Sequence, residues 1–349
     1  MPTPTISSLG LTNALQTTLR TSQLQLRDAE LEVATGRHAD VGLELSYLVD
    51  KTLNFRQTRS TLSVMQVNNE TLTSRLEATQ SAITQVSDNA QRFLGNLLSA
   101  MQADDQRATI VMAAESEMGA LTSLLSTSFD GAHLFSGVAT QSPALDDYLA
   151  DPPGTSRTAV QTAFVTEFGF PATDPSVATI TGAQMQTFLD GAFDTLFQDP
   201  SWATNFSSAS DDLLKNRISP NEVIETSASA NEQAFRSLTQ AYAAVIDLGA
   251  ENLSGEAFRV LADKVIELTT NGNSGVAAIG GRLGLAEQRV SSAQDRLSIQ
   301  TSVIEESIVE LEGVDAYEAA TRMNNLLTQI EVSYATTARI QGLTILNYL

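Results

Sequence analysis

The stretch LVDKTLNFRQTRSTLSVMQVNNETLTSRLEATQSAITQVSDNAQRFLGNLLSA, residues 48–100, contains no proline and a single glycine, Gly95. Every seventh residue from Leu48 gives Leu48, Phe55, Leu62, Asn69, Leu76, Ile83, Ala90 and Leu97. A second series, Met65, Leu72, Thr79, Val86, Phe93 and Ala100, runs between them. Together they make the a and d positions of a heptad seam. The seam predicts one helix over 45–101, about 85 Å long at 1.5 Å per residue, with a partner along it and Asn69 setting the register. Such a rod suits support, spacing or polymerisation, because it offers no concave pocket.

The partner lies far down the chain. Leu283, Val290, Leu297, Ile304 and Leu311 form another seven-residue series, and Ala286 and Ala293 beside it leave room for close approach. The predicted shaft core is therefore Leu62, Leu76, Ile83 and Leu97 against Leu283, Val290, Leu297 and Ile304.

Proline divides the rest. Pro2 and Pro4 open the chain, and the other seven prolines fall between 143 and 220. Since proline breaks helices, two helical arms flank an irregular insert. This gives an N-terminal arm 1–44 pairing with a C-terminal arm 316–349. A first shaft half at 45–137 ends in a hairpin, an outer domain fills 138–225, and a second shaft half occupies 226–315. Asp130-Gly131 is read as the tight turn, and Pro220-Asn221 as the turn of a second hairpin. Within the insert, 163–170 is a short apolar stretch and 184–197 a helix. A helix over 257–268 is expected to end at Asn271-Gly272-Asn273-Ser274-Gly275, and Gly313-Val314-Asp315 is expected to bend the chain. The fold class is mainly α: an elongated helical rod with antiparallel coiled-coil pairing of the two halves and a small mixed α/β insert.

The arms carry their own amphipathic patterns, with Leu15, Leu19 and Leu26 in the first and Leu327, Ile330, Tyr334 and Leu346 in the second. Short arms on a long rod find no globular core, so these seven residues are assigned to subunit contacts.

Composition narrows the function classes. Forty-one acidic residues against 20 basic give a formal net charge of −21, which repels nucleic acid and anionic membranes. With no cysteine there is neither a disulfide, nor a thiolate nucleophile, nor a cysteine-based zinc site. The opening residues lack a basic and then apolar secretion signal, and no apolar run reaches the roughly 18 residues that span a bilayer. The expectation is a soluble chain, cytoplasmic or exported without a cleaved signal. His38 and His133 are the only imidazoles and sit in separate loops. The acidic pairs Asp104-Asp105, Asp146-Asp147, Asp211-Asp212 and Glu305-Glu306 read as helix caps or solvated faces. Gly272-Asn273-Ser274-Gly275 lacks the Gly-Lys-Ser/Thr ending of a phosphate-binding loop. No catalytic residue, cofactor or metal is expected, and the chain is read as non-enzymatic.

Four motifs then carry a resemblance. They are Ala34-Thr35-Gly36-Arg37, Gly131-Ala132-His133-Leu134-Phe135-Ser136-Gly137, the run from Glu312 through Asp315 and Tyr317 to Arg322, and the closing Gln341 to Leu349. With the arm, insert, arm layout they resemble the bacterial flagellin superfamily, most closely its hook-filament junction branch, the hook-associated protein 3 type. Filament flagellins usually carry Asp-Asp-x-Ala-Gly where this chain has Asp40-Val41-Gly42-Leu43, and they more often close on a Val-Leu-Ser-Leu-Leu-type segment. The resemblance implies a structural adaptor between hook and filament, exported through the flagellar channel and located outside the cell. Its implied partners are the preceding hook-associated protein, flagellin, further copies of itself, and a cytosolic chaperone at the C-terminal arm, with no nucleic acid and no membrane. A filament flagellin is the alternative, and an enzyme domain in 138–225 a remote one.

Overall fold

A computed structural model describes residues 8–101 and 106–346, with side chains within 13–339. The chain is mainly α, 74% helical, and separates into two compact units. An arm unit combines Met1–Val64 with Arg296–Leu349, and a central unit spans Met65–Asp295. Helices α3 (Val49–Ala100) and α10 (Gly255–Glu312) each have residues in both.

In the arm unit, α1 (Ser8–Thr35) packs against α11 (Ala316–Leu346). The pair is antiparallel, since Gln23 donates to the Tyr334 hydroxyl at 2.9 Å while Glu32, further along α1, accepts from Arg322 at 3.1 Å. Ala29, Ala319, Leu326 and Ile330 are buried there. Between α1 and α3 stand the short α2 (Val41–Leu45), capped by the Asp40 carboxylate, and a 3-10 turn at Ser46–Leu48. Ser46 has φ 47° and breaks the helical path, so the predicted single helix over 45–101 begins instead at Val49.

In the central unit α3 and α10 run antiparallel. Gln294 donates to the Gln66 carbonyl, Gln80 to the Gly280 carbonyl, and Ser87 to the Asn273 side chain. Steps of 14 and then 7 residues along α3 are matched by equal steps back along α10, which is heptad register in both helices.

That register corrects the expected break at 271–275. Helix α10 is continuous through it, because the two glycines serve close packing. A side chain on Gly272 would meet Leu238 at 2.8 Å, and one on Gly275 would meet the Ala234 Cβ at 2.7 Å. Both neighbours lie on α9 (Gln233–Asp247), which is buried on nearly every face. Helix α4 (Arg107–Leu125) covers α9 with Ile110, Ala114, Met118, Leu121 and Leu125. The acidic pair Asp104-Asp105, read as a helix cap or solvated face, lies outside the described residues.

Two hairpins complete the frame. Strands β1 (Ser128–Phe129) and β2 (Ala132–His133) join through Asp130 and Gly131, both at positive φ, as a two-residue turn of this kind requires. Strands β3 (Lys215–Ser219) and β4 (Glu222–Glu225) join through Pro220-Asn221. Between them the insert is more helical than its composition suggests. Helix α5 (Thr155–Phe168) takes up most of the apolar stretch at 163–170. The helix read over 184–197 starts earlier as α6 (Gly182–Phe188), behind a capping box made by Thr181 and Gln184. It then widens into a π segment at Leu189–Phe193 and ends as α7 (Asp194–Leu196). Aromatic rings pack from Phe164 through Phe188, Phe193 and Phe197 to Trp202 and Phe206, the last two stacked at 5.3 Å. Trp202 belongs to α8 (Ser201–Asn205) and donates to Asn231 at 2.8 Å. Asn69 proves to serve this unit differently from a coiled-coil asparagine, since its amide donates to the Ile218 carbonyl in β3 at 2.9 Å.

Candidate functional site

Two of the quoted motifs meet in the arm unit. Helix α1 stops at Gly36, whose φ of 68° turns the chain, and the next residues pair with the segment linking α10 to α11. The Val314 amide donates to the Gly36 carbonyl at 3.1 Å, and the His38 amide donates to the Glu312 carbonyl at 3.0 Å. The bridge residue opposite Arg37 is Gly313, where a Cβ would run into the Val309 carbonyl oxygen. Only glycine fits there.

Around this pairing sit two buried carboxylates. Glu312 is fully buried, and both its oxygens accept from Arg56 on α3, at 2.8 and 2.6 Å. Arg37 stands 3.5 Å from one of these oxygens. The carboxylate in turn holds the Arg56 guanidinium above its usual range. Glu32 accepts from Arg322 at 3.1 Å and from the Ala39 amide at 3.3 Å, with the His38 ring 3.8 Å off. Asp315 caps α11 by accepting from the amides of Tyr317 and Glu318. A buried carboxylate needs its charge matched and its lone pairs filled, and this cluster does both. It ties the ends of α1, α10 and α11 to α3. It contains no nucleophile held by a base, and its charges are engaged with one another.

The central unit offers a groove of about 690 Å³ beside α5, lined by Arg157, Gln161, Phe164, Ile246 and Asp247 among others. Its one buried carboxylate is already used. Asp247 accepts from the Tyr148 hydroxyl at 2.7 Å, from Arg157 at 3.0 Å and from Gln161 at 3.0 Å. Burial, reinforced by that carboxylate, pushes the Tyr148 phenol well above its ordinary value. Among the described residues no group of three His, Asp or Glu side chains could hold a metal, and no helix is long and apolar enough to cross a membrane.

With this geometry in view, comparison with known families is decisive. Residues 6–140 match the bacterial flagellin N-terminal helical region, and residues 266–349 match the bacterial flagellin C-terminal helical region. The chain belongs to the flagellin superfamily. Flagellins are structural, non-enzymatic proteins of the extracellular flagellum that associate with other flagellar components and self-assemble. The fold is also similar to a solved protein of Vibrio parahaemolyticus whose own assignment as a flagellar hook-associated protein is provisional. The TM-score is 0.53 at 12% identity, covering 76% of this chain and 97% of that one. No curated protein matches the chain in sequence.

The residues singled out in this flagellin-type sequence take different places. Leu62, Leu76, Ile83, Leu97, Leu283, Val290 and Leu297 are buried, and Ile304 is half-buried. Of the arm residues, Leu15, Leu19 and Leu26 are half-buried and Ile330 is buried within the chain's own α1–α11 pair. Leu327 and Tyr334 are exposed, and the Leu346 side chain lies outside the described residues. His133 uses its ring on the Ser126 carbonyl at 2.8 Å. Sequence reasoning missed Glu32, Arg56 and Glu312 as a cluster. A carboxylate at the last position of a helix, where the dipole disfavours it, was the available signal at Glu312.

Proposed function

We propose that the chain is the adaptor that joins the flagellar hook to the filament, a structural subunit without enzymatic activity. The observation that carries this reading is the fold shared with the Vibrio hook-associated protein over nearly the whole of that chain. The departures from filament flagellins at Asp40-Val41-Gly42-Leu43 and at the closing residues support the same choice.

In this reading residues 138–225 form the outer domain, and 1–44 with 316–349 form the arms that pack against neighbouring axial proteins. Leu15, Leu19, Leu26, Leu327, Ile330, Tyr334 and Leu346 serve that packing. The neighbours are the preceding hook-associated protein on one side and flagellin on the other, with copies of this chain between. A cytosolic chaperone covers the C-terminal arm before export, since an apolar helix without its partner invites aggregation.

Deleting the gene tests the reading. Hooks without filaments, with flagellin released into the medium, are the expected result under electron microscopy and immunoblotting. Hooks without filaments and no flagellin in the medium would make this chain the filament subunit, and intact filaments would remove it from the axial structure.

A further inference from the structure

Two exposed stripes in the arm unit have the same spacing and opposite charge. On α1, Arg20, Leu24, Arg27 and Leu31 are all exposed. On α10, Ile299, Val303, Glu306 and Glu310 are all exposed as well. Both sets follow the pattern i, i+4, i+7, i+11, which at 3.6 residues per turn confines four side chains to a strip about 60° wide and about 16 Å long.

The apolar members are far from hidden: Leu24 and Leu31 are 49% and 48% exposed, and Ile299 and Val303 are 65% and 56% exposed. Nor are the charges consumed. Among the described residues Arg20, Glu306 and Glu310 make no ion pair, and Arg27 reaches only its neighbour Asp28 while staying 71% exposed.

We propose that these stripes are the two halves of one contact between copies of this chain, α1 of one copy lying antiparallel on α10 of the next. This rests on the reading above that copies of the chain pack together in the flagellum. In the antiparallel register Arg20 faces Glu310, Leu31 faces Ile299, and Arg27 comes within a turn of Glu306. A parallel register leaves Arg20 and Glu310 at opposite ends. Pairing either stripe with itself brings like charges together, face to face when parallel, and when antiparallel with each charge opposite an apolar residue and Arg27, or Glu306, within a turn of its own copy. The contact is therefore heterologous, the type that builds rings and helical arrays.

The second copy is favoured over another partner because the complement of each stripe is present on this same chain, uncovered in the folded protein. The chain's overall charge of −21 acts the same way. Copies repel, so a contact between them has to be made where basic residues are available.

Because the chain has no native cysteine, the contact can be read by disulfide formation. Differently tagged L31C and I299C chains are co-expressed in a strain lacking the native gene, and sheared flagella are oxidised. A cross-tag dimer is expected, absent when either chain is expressed alone. R20E with R27E in the L31C chain should lower its yield about tenfold, and E306R with E310R in the I299C chain should restore it. If a cysteine chain fails to enter the flagellum, the purified chains are mixed at high concentration and oxidised, and the same bands decide. A homodimer from L31C alone, an adduct with a different axial protein, or no cross-tag band would overturn the contact. The junction role is read separately, from whether the deletion strain keeps its filaments.

Discussion

The arm unit, Met1–Val64 with Arg296–Leu349, carries nine basic and 13 acidic residues, whereas the central unit, Met65–Asp295, carries 11 and 28. The apolar surface is distributed the other way. Of 21 large apolar side chains exposed among the described residues, 14 belong to the arm unit, which has about half as many residues. The central unit closes on itself because α9, α4, the insert helices and the aromatic rings surround its core from several sides. Packed helix pairs cannot do this, since each helix leaves a face without a neighbour. An unfinished, weakly charged surface on one unit and a finished, strongly acidic one on the other is what a subunit needs if it is to associate through the first and keep the second in solvent.

The comparison is broken most directly at Glu312. Replacing Glu312 with Gln keeps the shape and removes the charge that Arg56 and Arg37 surround. Because those arginines are 43% and 44% exposed, solvent recovers part of the loss, and a cost of about 2–3 kcal/mol is expected. Hydrogen exchange should accelerate in α1 and α11 while α9 keeps its protection. Equal acceleration in α9 would show that the two units do not differ in the way their surfaces suggest.

How much of this was legible in the sequence follows from the kind of interaction involved. The long helices were legible because an apolar residue every seven positions has one physical interpretation. Both hairpin turns were legible because Asp130-Gly131 and Pro220-Asn221 are residues that turns select. The carboxylate cluster was not, because Glu32, Arg56 and Glu312 lie far apart in the chain, and the one local signal, a carboxylate closing α10 at Glu312, does not name its partners. The glycines at 272 and 275 misled for a related reason. A glycine that breaks a helix and one that admits a neighbour look the same until the neighbour is known.

That distinction gives a paired test. Ala in place of Gly275 would bring its Cβ to 2.7 Å from that of Ala234, whereas nothing lies within 4 Å at Gly281 or Gly284. Helix propensity favours Ala over Gly by up to about 1 kcal/mol. At Gly281 and Gly284 that gain should appear as a higher melting temperature. At Gly275 overpacking of about 1–3 kcal/mol should outweigh it. Stabilisation at all three sites would mean that α9 and α10 are less tightly joined than their geometry shows.

The smallest expected effect concerns acidity in the central unit. Burial, with the Glu77 charge adding to it, raises the Glu287 carboxyl above its ordinary value of 4.5, and one of its oxygens is buried without a hydrogen-bond partner. A raised folded pKa means the native state holds this proton more tightly than the unfolded chain does. Glu287 therefore leaves stability unchanged below the unfolded value, and it lowers stability as pH rises from 4.5 through the folded pKa. Replacing Glu287 with Gln should make the protein slightly more stable at pH 7 and should flatten this part of its stability profile. The difference from wild type should vanish on acidification past the unfolded value. If Glu77→Gln gives part of the same gain, the repulsion between α3 and α10 is its source, and if it gives none, desolvation alone accounts for the shift.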